Sequence, residues 1–245
     1  MRRLLFEWHG IKLYSYPVML YLGLLSGIMA GTYGAGLDGL NPGRVYATLL
    51  LLIPVALVGA RLLFLLAHWR LYRREPHRIW RQSEGGASLY GGLLLSCLVS
   101  LPVLKILRLP FGAFWDVASI TMLIGMTFTK VGCFLNGSCA GRPTTSRQAL
   151  YLPNHQGIWR RRLPTQLLEA GWAAVILLGL MGLWHRLPFP GAGFLYTVAA
   201  YSLGRWWLEA TREDIETVGP LSLHRSIAVG LVAVCLMGFA VMWPH

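Results

Sequence analysis

The sequence is short of charge, and above all of acidic charge. Only 13% of its 245 residues are charged, whereas soluble domains average roughly 25%. Ten Asp and Glu stand against 22 Lys and Arg, and the chain has only four cysteines. Its longest polar stretches, about 69–86 and 140–164, leave no room for a separate soluble domain. This composition argues against a soluble globular protein and for a single domain over residues 1–245.

Long apolar runs are what the sequence does contain. Each of seven runs approaches the ~20 residues that a helix needs to cross a hydrocarbon core. Helices satisfy their own backbone polar groups, which lipid cannot do. We therefore predict an all-α polytopic membrane protein with seven transmembrane helices, the first of them retained and not cleaved as a signal peptide. The predicted helices cover residues 17–36, 45–67, 87–104, 111–131, 165–184, 191–211 and 224–243.

The basic residues favour a membrane partner. The net charge is +12, and Lys and Arg beside membrane helices are attracted to anionic lipid head groups. We expect an anionic phospholipid, and no nucleic acid, as the partner. Sixteen of the 22 Lys and Arg lie in one set of alternate polar segments, which comprises the N-terminus, 68–86, 130–164 and 212–225. The positive-inside rule places that set in the cytoplasm.

Four charged side chains within the apolar runs stand out, because burying a charge in lipid is costly and marks a functional candidate. They are Arg61, Glu169, Arg205 and Glu209. Arg205 and Glu209 are four residues apart, so they share a helix face and can pair. Tyr201 precedes Arg205 by the same spacing and extends that face. The pair either locks helix packing or lines a functional site.

Polar and glycine-rich segments gather on the basic side. The segment TKVGCFLNGSCAGRPTT (129–145) ends an apolar run with polar side chains and three glycines, and EGGASLYGGLL (84–94) and RRRLPTQLLE (160–169) lie on the same side. Glycine permits close backbone approach, although small residues also serve plain helix packing. Together these segments predict a polar cavity, lined by cations, that opens at one membrane surface and admits an anionic head group.

Six ordered blocks of the sequence resemble the prolipoprotein diacylglyceryl transferase family, and they span nearly the whole chain. In the block TKVGCFLNGSCAGRPT (129–144), the residues that match the family signature are Gly132, Phe134, Asn136, Gly137, Gly141, Arg142 and Thr144. The other blocks are YPVMLYLG (16–23), GARL (59–62), GGASLYGGL (85–93), PTQLLE (164–169) and YSLGRWWLEATRED (201–214).

The resemblance implies a multi-pass enzyme of the bacterial inner membrane. This family transfers the diacylglyceryl group of phosphatidylglycerol to the thiol of a prolipoprotein lipobox cysteine, which forms a thioether and releases glycerol 1-phosphate. The implied partners are the phospholipid and the acceptor peptide, with no cofactor and no metal. The resemblance also implies a periplasmic active face, which conflicts with the distribution of Lys and Arg. We follow the resemblance and assign the basic residues to anionic lipid.

The matching positions define the predicted site. The resemblance implies catalytic roles for Arg205, which would hold the lipid phosphate, for its partner Glu209, and for Tyr90 and Lys130. Gly141 would let the backbone lie close to the head group. The predicted substrate-binding residues are Arg142, Asn136, Gly141, Tyr16, Tyr201, Gln166, Glu169 and Arg61.

Four positions depart from the family pattern. Tyr90 replaces a histidine, Lys130 an arginine, Cys133 an asparagine and Ser138 a glutamate. Lysine keeps the charge without the planar fork, and a phenol is a weaker base than imidazole at neutral pH, although it can still hydrogen-bond a substrate. Two alternatives therefore accompany the transferase. One is a paralogue that uses an anionic phospholipid with a different acceptor, and the other is a non-catalytic phospholipid-binding protein.

Two of the four cysteines lie in the block that matches the family signature, residues 129–144, which we call the signature block. Cys133 and Cys139 are six residues apart, and three interpretations are open: a disulfide on an oxidising face, a thiol relay, or two small packing residues. Their spacing, with only His155 nearby, does not form a zinc ligand set. Cys97 and Cys235 lie within apolar runs and are expected to pack as small apolar side chains.

Overall fold

Helices make up most of the structure, a computed structural model that describes residues 4–8, 11–74, 77, 88–153, 157–212, 217–218 and 221–243. A short 3₁₀ turn, Trp184–Arg186, follows the sixth helix. In chain order the elements are β1 (Leu4–Trp8), β2 (Ile11–Tyr14), α1 (Ser15–Leu37), α2 (Pro42–Ala67), α3 (Trp69–Arg74), α4 (Leu89–Leu107), α5 (Phe111–Asn136), β3 (Leu150–Pro153), β4 (Trp159–Arg162), α6 (Thr165–Leu183), α7 (Ala192–Glu209), β5 (Thr217–Val218), β6 (Leu221–Ser222) and α8 (Leu223–Met242).

All seven predicted helices are present, and the all-α membrane fold is confirmed. Among the described residues, six helices, namely α1, α2, α4, α5, α6 and α8, are long and apolar enough to cross a membrane. The remaining predicted helix, α7, has 18 residues and is less apolar because it contains Arg205 and Glu209. Residue 87, the predicted start of the third helix, lies outside the described residues. The polar cavity predicted among the helices stays a prediction.

The part of the chain that the structure describes contains three short antiparallel hairpins that were not predicted from the sequence. β1 pairs with β2, β3 with β4, and β5 with β6, and each hairpin comes just before a long helix. In the middle hairpin Tyr151 lies opposite Arg161, and the rings of Tyr151 and Trp159 stack with centroids 5.6 Å apart. Strands of two to five residues are too short to show a clear alternation of apolar and polar side chains, so the pattern gave no signal.

The chain divides into two compact units, residues 1–31 with 115–245, and residues 32–114. In the second unit, α2 packs on α4 through glycines. A Cβ placed on Gly59 would lie 2.5 Å from the carbonyl oxygen of Gly91, and one placed on Gly92 would lie 2.9 Å from that of Ala56. Small residues allow this close approach, which is how apolar helices associate in lipid. The prediction of a single domain stays a prediction.

In the first unit, α5 packs against α1. Thr121 donates a hydrogen bond of 2.9 Å from its hydroxyl to the carbonyl oxygen of Gly27, and a Cβ on Gly27 would lie 2.7 Å from the carbonyl oxygen of Thr121. On the other side of α5, Ile120 and Leu123 join residues of α6 in a buried apolar cluster. α6 and α7 are linked by Trp172, whose indole N–H donates to the carbonyl oxygen of Ala200 at 3.0 Å.

A buried carboxylate that the sequence analysis did not single out holds the start of α7. The two oxygens of Asp116 accept hydrogen bonds from the backbone N–H groups of Gly191 at 2.6 Å and Phe194 at 2.8 Å. The first N–H groups of a helix have no partner within the helix, and a negative charge there also complements the helix dipole. Asp116 therefore ties the beginning of α7 to α5, at the end of α5 far from the signature block.

The contact between α2 and α4 gives a direct test of the glycine packing. Gly91→Ala is expected to lower the apparent thermal midpoint by several degrees, because the new methyl group meets the backbone of Gly59 and overpacking costs about 1–3 kcal/mol. The matched control is Gly171→Ala in α6, where the methyl group meets nothing and the midpoint should hold or rise slightly. Equal midpoints for the two variants in detergent would contradict this packing.

Candidate functional site

The signature block begins inside α5 and does not form one continuous loop. α5 runs to Asn136, five residues beyond the predicted end, so Lys130 and Cys133 lie on its last two turns. Gly137 follows with a positive φ of 76°, and the backbone N–H of Ser138 donates to the carbonyl oxygen of Cys133 at 3.0 Å. This is a Schellman ending, in which glycine takes the left-handed position.

Two further signature glycines are required because other segments of the same protein pack very close to their Cα atoms. A Cβ on Gly132 would lie 2.9 Å from the Cβ of Met19, so its absence lets α1 lie against the end of α5. A Cβ on Gly141 would lie 2.7 Å from the carbonyl oxygens of both Leu163 and Thr211. The close approach predicted at Gly141 is therefore made, in the structure, to the protein's own backbone.

Backbone hydrogen bonds hold the signature segment between the start of α6 and the end of α7. The N–H of Gly141 donates to Leu163 at 3.1 Å, and the N–H of Arg142 donates to Thr211 at 2.9 Å. The hydroxyl of Thr165 also lies 3.2 Å from that of Thr211. These bonds bring the ends of α5, α6 and α7 together.

Glu169 is the centre of a buried ion cluster where these helix ends meet. One of its oxygens accepts a hydrogen bond of 2.8 Å from the guanidinium of Arg205, and the other forms an ion pair with the ammonium of Lys130. The Nε of Arg212 lies 3.9 Å from the same oxygen that Arg205 contacts. One carboxylate thus joins cations from α5, α7 and the segment after α7.

The predicted pair on α7 is present and belongs to this cluster. The guanidinium of Arg205 lies 3.1 Å from a carboxylate oxygen of Glu209, one turn later, and Glu209 is fully buried. Arg205 therefore lies between two carboxylates. Among the described residues, three cations face two carboxylates, which leaves the cluster with an excess of positive charge. It can attract and hold an anion.

The cations differ in their access to solvent. The side chain of Arg205 is 8% exposed, whereas those of Lys130 and Arg212 are 19% and 23% exposed. Arg142 is exposed, and its backbone is fixed beside Thr211 by the bond described above. Lys130 and Arg212 are therefore the more accessible cations of the cluster, and Arg205 is the buried one.

Several other predicted residues lie close to the cluster. Tyr16 and Tyr201 are both within electrostatic reach of Lys130. The side-chain amide of Gln166 donates to the carbonyl oxygen of Ser138 at 2.7 Å, and its own Oε1 has no hydrogen-bond partner among the described residues. Asn136 is half-buried at the last position of α5.

Two predicted residues belong to the other unit, residues 32–114, and their place in the site stays a prediction. The guanidinium of Arg61 lies 5.7 Å from the ring centre of Phe64, and Tyr90 is buried near the start of α4. Parts of two matching blocks, residues 85–87 and 213–214, lie outside the described residues. Among the residues that the structure describes, no group of three or more His, Cys, Asp or Glu is placed to hold a metal ion.

The two signature cysteines are free thiols in the structure, and no disulfide joins them. Cys133 is buried and Cys139 is exposed, in a left-handed conformation with φ of 58°. The thiol of Cys139 interacts with that of Cys133, and Lys130 and Arg212 are nearby cations. These contacts lower the pKa of Cys139 to about 6.

Two arginines of the site were missed in the sequence analysis. Arg212 completes the cluster around Glu169, and Arg162 is almost fully buried, with its guanidinium 3.4 Å from the carbonyl oxygen of Gly141. For Arg212 there was no local signal, because it lies beyond the end of α7 and its partner Glu169 is far away in the chain. For Arg162 there was none either, since it lies in a run of three arginines.

These features define a polytopic membrane protein with a positively charged, buried polar cluster at one end of its helices. A sequence model described as prolipoprotein diacylglyceryl transferase matches residues 3–243. The chain therefore belongs to the prolipoprotein diacylglyceryl transferase family, and it is a transferase.

Curated relatives agree with this assignment over most of their length. A phosphatidylglycerol–prolipoprotein diacylglyceryl transferase from Nostoc sp. is 29% identical over 251 residues, which cover 96% of this chain and 87% of that protein. Proteins of the same name from Bacillus cytotoxicus and Bacillus mycoides are 26% and 27% identical over 235 residues, which cover 91% of this chain and 86% of each relative.

The central position of Glu169 predicts a large effect of removing its charge. Glu169→Gln keeps the shape of the side chain but removes the negative charge with which Lys130 and Arg205 pair. Breaking a buried ion pair costs about 3–5 kcal/mol. The apparent thermal midpoint in detergent should fall clearly. Glu7→Gln, on an exposed strand residue, is the control and should melt like the parent. A Glu169→Gln midpoint equal to the parent's would show that the cluster contributes nothing to stability.

Proposed function

We propose that this protein transfers the diacylglyceryl group of phosphatidylglycerol to the thiol of a prolipoprotein lipobox cysteine. A thioether forms and glycerol 1-phosphate leaves. The observation that carries the proposal is the cation-rich cluster of Lys130, Arg205 and Arg212 around Glu169, built at the family signature. The names of the curated relatives, which state this donor and this acceptor, support it.

Charge development in the reaction matches the cluster. When the bond between the glyceryl carbon and the phosphate oxygen breaks, negative charge grows on the departing phosphate. Fixed cations in a site shielded from water stabilise that charge strongly. Arg205 is our choice for the phosphate contact, with Lys130 and Arg142 assisting, because a guanidinium can bind two phosphate oxygens at once. Arg212 joins this set because it lies at the same carboxylate.

The acceptor must react as a thiolate, and the cluster favours that form. Lys130 and Arg212 contribute to lowering the pKa of Cys139. A substrate thiol brought near these two cations would have its thiolate form stabilised in the same way. Glu209, paired with Arg205, orients the guanidinium or accepts the thiol proton. The roles proposed for Tyr90, beside the acceptor thiol, and for Arg61 rest on the resemblance alone.

The membrane helices support a location in the bacterial inner membrane, where phosphatidylglycerol can enter from the bilayer. We propose that the face with the cluster is periplasmic, as the family resemblance implies. The many Lys and Arg on that face would then bind anionic head groups. In this proposal Gln166, whose Oε1 has no hydrogen-bond partner among the described residues, accepts a hydrogen bond from a hydroxyl of the head-group glycerol.

The proposal is tested by complementation of a bacterial strain depleted of its own diacylglyceryl transferase. The parent chain should restore growth and place labelled lipid on lipoprotein cysteine. Arg205→Ala should abolish both, because the buried guanidinium is lost, and Arg205→Lys should retain a small part, because it keeps charge without the planar fork. The matched control is Arg186→Ala, an exposed arginine after α6, which should behave as the parent.

Expression of each variant is checked by immunoblot of membranes, so that loss of protein is not taken for loss of chemistry. Full activity of well-expressed Arg205→Ala would contradict the proposed site. Failure of the well-expressed parent to rescue growth, with turnover of phosphatidylglycerol onto another acceptor, would favour the paralogue suggested by the four departures at Tyr90, Lys130, Cys133 and Ser138. Lipid binding without any product would favour the non-catalytic alternative.

A further inference from the structure

The cysteine pair beside the ion cluster has no part in the proposed transfer. Cys133 lies buried on the last turn of α5, and Cys139 is exposed three residues after that helix ends. Their side chains nonetheless lie close enough to interact with each other. The Schellman turn at Gly137 produces this contact, because it folds the chain back over the end of the helix.

The two thiols differ in the way that thiol–disulfide chemistry requires. An accessible cysteine in a positive environment is the nucleophile in such reactions, and a second thiol in contact with it can resolve the mixed disulfide. Cys139 is the accessible residue, with Lys130 and Arg212 as its cations, and Cys133 is the buried partner. The left-handed backbone at Cys139 is a rare conformation for a residue with a side chain, and such conformations gather at functional sites.

We propose that Cys139 and Cys133 form a redox-active dithiol, with Cys139 as the attacking thiol and Cys133 as the resolving thiol. The reaction partner is a disulfide, either on an oxidised dithiol protein or on a small molecule. Because both cysteines lie on the signature segment, the state of this pair is coupled to the ion cluster.

The reaction proceeds by two exchanges. The thiolate of Cys139 attacks one sulfur of the oxidant, the S–S bond of the oxidant breaks, and its other half leaves as a thiolate. Cys133 then gives its proton to water and attacks the sulfur of Cys139, which displaces the second half of the oxidant and closes the Cys133–Cys139 bond. Two electrons pass from the dithiol to the oxidant, and its two thiolates take up the released protons.

Oxidation changes the charge of the cluster. The thiolate of Cys139 partly balances Lys130 and Arg212, and that negative charge is lost when the disulfide forms. The cluster then carries more net positive charge, and the segment between the two cysteines is tied to the end of α5. If the cluster binds lipid phosphate, which rests on the proposed function, the reduced and oxidised forms should differ in activity.

The pH dependence of the exchange follows from the groups around Cys139. The rate at which Cys139 reacts with glutathione disulfide should rise with pH, with a midpoint near pH 6. This midpoint is well below the pKa of an ordinary cysteine thiol. The groups that face Cys139 are Cys133 and Lys130 on α5, Tyr16 on α1, Glu169 on α6 and Arg212 after α7. Lys130→Met and Arg212→Met should each raise that midpoint.

The experiment uses the full chain in detergent, reduced and then exposed to glutathione disulfide. Intact mass should show the loss of two hydrogens, and peptide mapping should locate the bond between Cys133 and Cys139. Cys133→Ser should stop at a glutathione adduct on Cys139, because the resolving thiol is absent. Cys139→Ser should give neither product, and Cys97→Ser is the control that should oxidise like the parent.

The proposal is overturned if the parent forms no Cys133–Cys139 bond, or if Cys139 reacts no faster at pH 7 than Cys97. It is also overturned if the Cys133→Ser variant carries its adduct elsewhere. Transferase activity is measured separately on the reduced and oxidised forms. No activity in either form would count against the proposed function, while the mass measurement would still decide whether the dithiol exists.

Discussion

A buried carboxylate among membrane helices must be neutralised, and this constraint organises the unit that carries the site. Glu169 lies in an apolar helix and is 3% exposed. Its two oxygens are shared by Lys130 of α5 and Arg205 of α7, with Arg212 close by. Because an unpaired charge in lipid is far more costly than a paired one, this single residue fixes the register of three helices.

The backbone around the cluster follows from the same requirement. The cations reach Glu169 only if the ends of α5, α6 and α7 come close, and glycines make that approach possible. Gly132 brings α1 against α5, Gly137 ends α5 and turns the chain back, and Gly141 fits between Leu163 and Thr211. The signature block thus serves largely to bring the charged side chains together. The excess positive charge that remains would bind an anionic lipid.

The sequence predicted what local pattern determines. Hydrocarbon thickness sets the length of an apolar run, so the seven helices were found with small errors, and the four-residue spacing predicted the pairing of Arg205 with Glu209. The central role of Glu169 was not predicted, because its partners lie 39 and 36 residues away in the chain. Only tertiary packing shows which distant cations share one carboxylate, and the same limit applies to Arg212, Asp116 and the short hairpins.

A double-mutant cycle between Glu169 and Arg205, read as the free energy of unfolding in detergent, tests the role of this ion pair most directly. We expect Glu169→Gln combined with Arg205→Met to be less destabilising than the sum of the two single changes, with a coupling energy of about 1–3 kcal/mol, because the double change leaves neither Glu169 nor Arg205 as a charge without its partner. Additive effects, with no coupling between the two positions, would contradict the claim that this ion pair holds the site together.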